Sequence, residues 1–129
     1  KDVGLGYVKL GQSSTSLSGG EAQRIKLAYF ISQGTTKEKI LFIFDEPTTG
    51  LHFHDVNKLL SSFNLLIDRG HTIVVVEHNL ELIKCADYII ELGPEAGKNG
   101  GYLVGQGSPE IISKISKSNT ASYLTKKLI

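Results

Sequence analysis

The sequence has no methionine, a single cysteine and almost no excess charge of either sign. Each shortage excludes something. One thiol, Cys85, rules out an internal disulfide and cannot make the paired spacing of a zinc site, which fits a reducing cytoplasm. Cys85 is therefore expected to be a small buried apolar side chain. Fourteen basic residues against thirteen acidic ones leave a net charge of +1, so no broad basic field argues for nucleic acid or a membrane surface. No apolar run approaches the roughly 18 residues that cross a bilayer, and no signal-peptide pattern opens the chain. A cytoplasmic protein without a membrane partner is the expectation. With no methionine, no natural translation start lies within the 129 residues, so the chain is expected to be a piece of something larger. What is present is 40% hydrophobic and long enough for one compact unit with a core.

Residues 1–16, rich in Gly, Ser and Thr, predict irregular backbone ahead of a first helix. That helix has a readable start. Ser18 as N-cap and Glu21 three residues on make a capping box, and Ala22, Ile25, Ala28 and Tyr29 follow at helical spacing. Gly34 with Thr35 and Thr36 ends it, and an apolar strand over residues 41–44 comes next. After a turn, Val56, Leu59, Leu60, Phe63, Leu66 and Ile67 fall on one face of a second helix stopped by Gly70. The β-branched run Thr72 to Val76 suits a strand buried on both faces. A short helix around Leu80 and Ile83 then leads to strands at 88–92 and 102–104, joined by a glycine-rich reversal. Ser108 and Pro109 open a terminal helix through Ile115, and the residues from about 118 to 129 are expected to fray. The order predicts an α/β layer with a mostly parallel sheet flanked by helices and a hairpin-like C-terminal extension.

Three segments carry candidate chemistry. Leu41-Phe42-Ile43-Phe44 delivers Asp45 and Glu46 to a polar edge, where Pro47 stops the strand. Adjacent residues of a strand face opposite ways, but a turn at the proline lets both acids approach one site. In phosphoryl transfer one such carboxylate supports Mg²⁺, directly or through water, and the other polarises the attacking water. Asp45 is assigned to the metal and Glu46 to the water. An Asp-Glu pair alone is most often just an exposed strand end; the apolar run before it and the Pro-Thr-Thr-Gly turn after it favour the functional role. Ser18, Gly19 and Gly20 sit at a helix start, where free N–H groups and the dipole favour phosphate oxygens. A plain capped helix explains Ser18 and Glu21 equally well, but not the paired glycines, which weaken a first turn. His78 follows the second strand and could hydrogen-bond a terminal phosphate, although a lone histidine there is more often a loop residue. His52, His54 and His71 make no zinc pattern, and His54 and His71 read as solvated. No Gly-x-x-x-x-Gly-Lys-Ser/Thr phosphate loop occurs, and Gly97-Lys98-Asn99 does not supply one.

Together these residues resemble the ATP-binding-cassette ATPases. Leu17-Ser18-Gly19-Gly20-Glu21 corresponds to the signature, residues 40–46 to Walker B and His78 to the switch histidine. Within that superfamily the chain is similar to the UvrA family, the damage-recognition component of the excinuclease ABC system in bacterial nucleotide excision repair, at the C-terminal part of its second nucleotide-binding module. The marks are Leu10-Gly11-Gln12, Leu17 to Arg24, Asp45-Glu46-Pro47-Thr48-Thr49-Gly50-Leu51-His52, Glu77-His78-Asn79-Leu80, and Leu92-Gly93-Pro94-Glu95 with Gly100-Gly101. The resemblance implies composite ATP sites, in which Ser18, Gly19, Gly20 and Glu21 meet the terminal phosphate of ATP held by another module. Asp45, Glu46 and His78 would serve the nucleotide on this module's own phosphate loop, and Thr49, Gly50, Leu51 and His52 would carry signals between sites. ATP and Mg²⁺ are the implied cofactors, with zinc only in other parts of the parent. The implied partners are the rest of the parent chain, including its other nucleotide-binding module, and for the whole protein DNA, UvrB and a second copy of the protein.

Two other functions compete. A transporter cassette would usually carry Gln at Glu21 and a different turn ending in Asp at His52. A non-catalytic α/β interaction domain is the alternative from another class, and the isolated chain, without a phosphate loop, is expected to be inactive as an ATPase.

Overall fold

The computed structural model describes residues 18–34, 37–95 and 97–128. The expected irregular lead-in over residues 1–16, the Leu10-Gly11-Gln12 mark and Leu17 lie outside them. The chain forms two compact units, where its length suggested one; the first ends at Glu77 and the second begins at His78.

In the first unit, helix α1 (Gly19–Ser32) starts as its capping box requires. The Ser18 amide donates to Glu21 Oε2 at 2.7 Å, and the Glu21 amide donates to Ser18 Oγ at 3.3 Å. Its buried residues are Gly20, Arg24 and Leu27, while Ile25 and Tyr29 of the expected apolar series are exposed. Gly34, at φ +75°, follows the helix end. Strand β1 (Leu41–Asp45), helix α2 (Phe53–Asp68) and strand β2 (Thr72–Val76) make a β-α-β unit whose strands pair in parallel, from Leu41 opposite Thr72 to Asp45 opposite Val76. Val56, Leu59, Phe63 and Leu66 are the buried apolar positions of α2. Phe42 and Phe44 point inward from β1, with ring centroids 5.0 Å from Phe30 and 4.9 Å from Phe63 respectively. Burial of each such ring contributes about 1.5–3 kcal/mol.

His71 is not solvated. It is 7% exposed, its Nδ1 accepts the Ile40 amide at 3.3 Å, and its ring stands edge-on to Phe42. The turn after α2 folds the imidazole back over the core, where it satisfies a backbone donor that would otherwise be stranded. β2 also departs from expectation. Val74 and Val76, with Leu41 and Ile43 beside them on β1, are between 46% and 67% exposed, so among the described residues only one face of this sheet is covered.

In the second unit, helix α3 (Leu80–Ile83) is capped by Asn79, whose Oδ1 accepts the Glu81 amide at 3.0 Å. Strands β3 (Ile89–Gly93) and β4 (Tyr102–Gly107) pair antiparallel with an irregularity between Glu91 and Leu92, and a 3₁₀ turn (Gly97–Asn99) lies in the connection. Helix α4 (Pro109–Ile112), shorter than the expected run through Ile115, packs on β4 at Gly105, where a Cβ would lie 3.3 Å from Ile112 Cδ1 of the helix and 2.5 Å from Ile115 Cδ1 beyond it. The segment expected to fray instead forms helix α5 (Ala121–Lys127). Ala121 and Leu124 are buried, and Glu91 Oε1 accepts from the amide and hydroxyl of Thr120 at 3.2 and 2.8 Å, anchoring the helix start. Two apolar contacts spaced three apart suffice to dock a helix too short to show a periodic pattern. Cys85 is exposed rather than buried, with its thiol donating to the Glu81 carbonyl, because it falls on the turn just past α3. No helix among the described residues is long and apolar enough to cross a membrane.

Candidate functional site

The first unit brings the start of α1 against the acidic end of β1. Gly20 shows how closely: a Cβ there would lie 3.3 Å from the Thr49 carbonyl and 3.6 Å from the Glu46 carbonyl. Close backbone approach therefore accounts for this glycine, without any ligand. Gly19 is different. A Cβ on it would meet nothing within 4 Å, so its open surface at the exposed helix start needs another explanation. Ser18 is exposed and engaged in the cap with Glu21.

Asp45 is the last residue of β1, and Glu46 prolongs the parallel ladder by donating its amide to the Val76 carbonyl at 2.9 Å. Both acids are exposed. Glu46 sits at φ +45°, a left-handed conformation rare for a residue with a Cβ, and the chain reverses there through buried Pro47 and Thr48. The Thr49 amide donates to the Glu46 carbonyl at 3.1 Å and the Leu51 amide to the Thr48 carbonyl at 2.9 Å. Gly50, at φ +74°, meets the backbone demand of this turn, and exposed His52 is the N-cap of α2. In the first turn of α2, the Lys58 ammonium donates to Asp55 at 2.7 Å and holds that carboxyl below its ordinary range. His78 is exposed and opens the second unit, whereas both acids belong to the first.

Two side chains of α1 hold this arrangement, and neither stood out as a candidate in the sequence. Gln23 grips the end of β1 with both ends of its amide, donating to the Asp45 carbonyl at 2.8 Å and accepting the Asp45 amide at 3.1 Å, as a neighbouring strand would. Arg24, fully buried, donates through Nη1 to the carbonyls of Pro47 at 2.6 Å and Thr49 at 3.2 Å. A third, Glu77 at the end of β2, accepts the Thr48 amide at 2.9 Å and the Thr48 hydroxyl on the same oxygen. All three lie inside the quoted marks, Gln23 and Arg24 at the end of Leu17 to Arg24 and Glu77 at the start of Glu77-His78-Asn79-Leu80, but nothing local assigns them a role or marks an arginine as buried.

No family model matches the chain. Curated relatives do. UvrABC system protein A of Clostridium perfringens is 59% identical over 127 residues, and that of Clostridium acetobutylicum 61% over 127, each match covering 98% of this chain and 13% of the relative. The Vibrio cholerae protein of the same name is 58% identical over 123 residues. The crystal structure of UvrA2 from Deinococcus radiodurans matches with a TM-score of 0.89 at 45% identity, covering 99% of this chain and 16% of that one. The chain matches one segment of UvrABC system protein A.

This UvrA-like segment spans 13% of the length of the curated relatives above. The likeness covers both units, and it extends to the α/β architecture with its parallel pair and antiparallel hairpin. Among the described residues no group of three or more His, Cys, Asp or Glu side chains could by itself cage a metal ion. The exposed carboxylate of Asp45 does suit Mg²⁺, which keeps several waters and takes its remaining ligands from a phosphate. The donor set therefore fits a cation that arrives with a nucleotide.

Proposed function

We propose that this UvrA-like segment is part of an ATPase of bacterial nucleotide excision repair, and that it supplies one half of each of two composite ATP sites. In the full-length protein, ATP binding and hydrolysis would control lesion recognition on DNA and the loading of UvrB, with a second copy of the protein as partner and the cytoplasm as the setting. The observation that carries this is the packing of an open, glycine-bearing helix start against an acidic strand end and its turn in one compact unit. The relatives named above bear the name UvrABC system protein A, not that of a transporter cassette.

The roles follow from chemistry. Gly19 and Gly20 present helix N–H groups, and Ser18 its hydroxyl, to the terminal phosphate of a nucleotide held on another module, with Glu21 holding the Ser18 amide in the cap. Asp45 would hold Mg²⁺, directly or through water, and the bound ion would supply positive charge against the phosphates. Glu46 orients the attacking water, and His78 donates a hydrogen bond to the terminal phosphate. Thr49, Gly50, Leu51 and His52 link the two sites. The phosphate loop that this sequence does not contain would come from another segment of the full-length protein.

Substitution of Glu46 by Gln in the full-length protein tests this. The amide keeps the shape but not the basicity, so ATP binding is expected to persist while turnover falls about 100-fold. Unchanged turnover would remove Glu46 from the reaction. Stimulation of that turnover by damaged DNA separates repair from other uses of ATP, and nucleotide binding by the isolated 129-residue chain is expected to be undetectable.

A further inference from the structure

The turn at residues 46–50 is held from two sides by opposite charges. On one side the buried Arg24 guanidinium donates to two of its carbonyls, those of Pro47 and Thr49. On the other, Glu77 Oε1 accepts from its amide and hydroxyl donors at Thr48. A cation set against carbonyl oxygens and a carboxylate set against N–H and O–H groups are the pairings that strengthen such bonds. Immediately before the gripped residues comes Glu46 in its left-handed conformation, a backbone state that persists only where the surroundings over-determine it. Parallel pairing of Asp45 with Val76 puts Glu77 level with Glu46, so the carboxylate that grips the turn comes from the strand beside the one it follows.

We propose that Glu77 is a positioning residue for the hydrolytic step. Together with Arg24 it fixes the turn, and the fixed turn aims the Glu46 carboxylate at the attacking water. Glu77 touches neither water nor nucleotide in this role; it acts through Thr48. The proposal rests on the assignment of Glu46 as the water-orienting group. Misplacement of a reacting group by about 1 Å costs on the order of 100-fold in rate, which is why a group that reaches Glu46 only through Thr48 and the backbone matters to turnover.

The test uses the full-length protein with Glu77→Ala, Thr48→Val and Thr48→Ser, each checked for an unchanged thermal midpoint. Thr48→Val is near-isosteric and removes only the hydroxyl bond, so it keeps the experiment decisive if Glu77→Ala folds poorly. Expected are a roughly tenfold fall in kcat for Thr48→Val and a larger one for Glu77→Ala, with KM for ATP within about twofold of the parent and activity regained in Thr48→Ser. Amide exchange in a peptide covering residues 45–50 is expected to quicken about tenfold in Glu77→Ala. Unchanged exchange would overturn the clamp, and quickened exchange with unchanged kcat would overturn its part in hydrolysis. A rise in KM matching the fall in kcat would reduce Glu77 to general support and likewise overturn the proposal. If Glu46→Gln hydrolyses ATP at the parent rate, the assignment of Glu46 fails by itself; quickened exchange in Glu77→Ala would then still uphold the clamp.

Discussion

Gly19 and Gly20 are adjacent letters with different physical reasons. Alanine at position 20 would set its Cβ 3.0 Å from Arg24 Nη1, and that nitrogen is pinned by its bond to Pro47 at 2.6 Å, so it cannot give way. Gly20→Ala is therefore expected to destabilise the fold by about 1–2 kcal/mol through overpacking. Gly19→Ala meets no neighbour and removes a poor helix former, so stability is expected to stay level or rise by up to about 1 kcal/mol. If phosphate approaches the helix start, the same Gly19→Ala change lowers ATP turnover of the full-length protein despite the gain in stability. Urea midpoints for both variants, beside turnover for the second, check the pair of outcomes. Equal loss of stability in both would mean that the open surface at Gly19 is not open in solution.

Elements whose cause is local were legible, and elements whose cause is distant were not. The capping box of α1 is written in Ser18 and Glu21, and the stripe on α2 in Val56, Leu59, Phe63 and Leu66, because each depends on spacing within one helix. The buried side of α1 escaped notice because it is made of Gly20, Arg24 and Leu27, and a glycine and an arginine do not register as core. His71 and Cys85 depart from expectation in opposite directions, since which turn residue folds inward is decided by what lies opposite it. The acids, the glycines and the turn of the candidate site were read from their letters, whereas the three side chains that hold them emerged only with the fold. Helix α5 likewise depends on a distant partner. Lys127 donates to Glu81 of α3, and Lys84 pairs with the same carboxylate at 2.5 Å. The Lys127 hydrogen bond first, and then the Lys84 one, hold the Glu81 carboxyl below its ordinary range. A carboxylate whose folded value is depressed stabilises the fold above its ordinary pKa, and that contribution is lost as pH falls through the depressed one. The pair is solvent-facing, so the effect is small. Glu81→Gln is expected to lower the thermal midpoint slightly at neutral pH, and the two melting profiles should converge in acid. Parallel profiles at every pH would remove Glu81 as the link between α3 and α5.

At the scale of the whole molecule, the apolar surface left open is the informative quantity. Continuous apolar strands belong to sheets covered on both faces, yet in the first unit Leu41, Ile43, Val74 and Val76 face outward, and in the second Ile90 and Leu92 do. A chain that spans 13% of its relatives leaves ample polypeptide to cover such a face. The prediction is a contrast between contexts. Ile43→Thr with Val74→Thr places two hydroxyls on an exposed strand surface in the isolated chain, where β-branched side chains are retained and the change should stay within about 0.5 kcal/mol. In the full-length protein the same hydroxyls would be buried against apolar neighbours without hydrogen-bond partners, at a cost of about 1–3 kcal/mol each. Urea unfolding of the double variant in both forms measures the difference directly. A small change in both would mean that the rest of the protein leaves this face to water, and the two-sided pattern of β1 and β2 would then need a different cause.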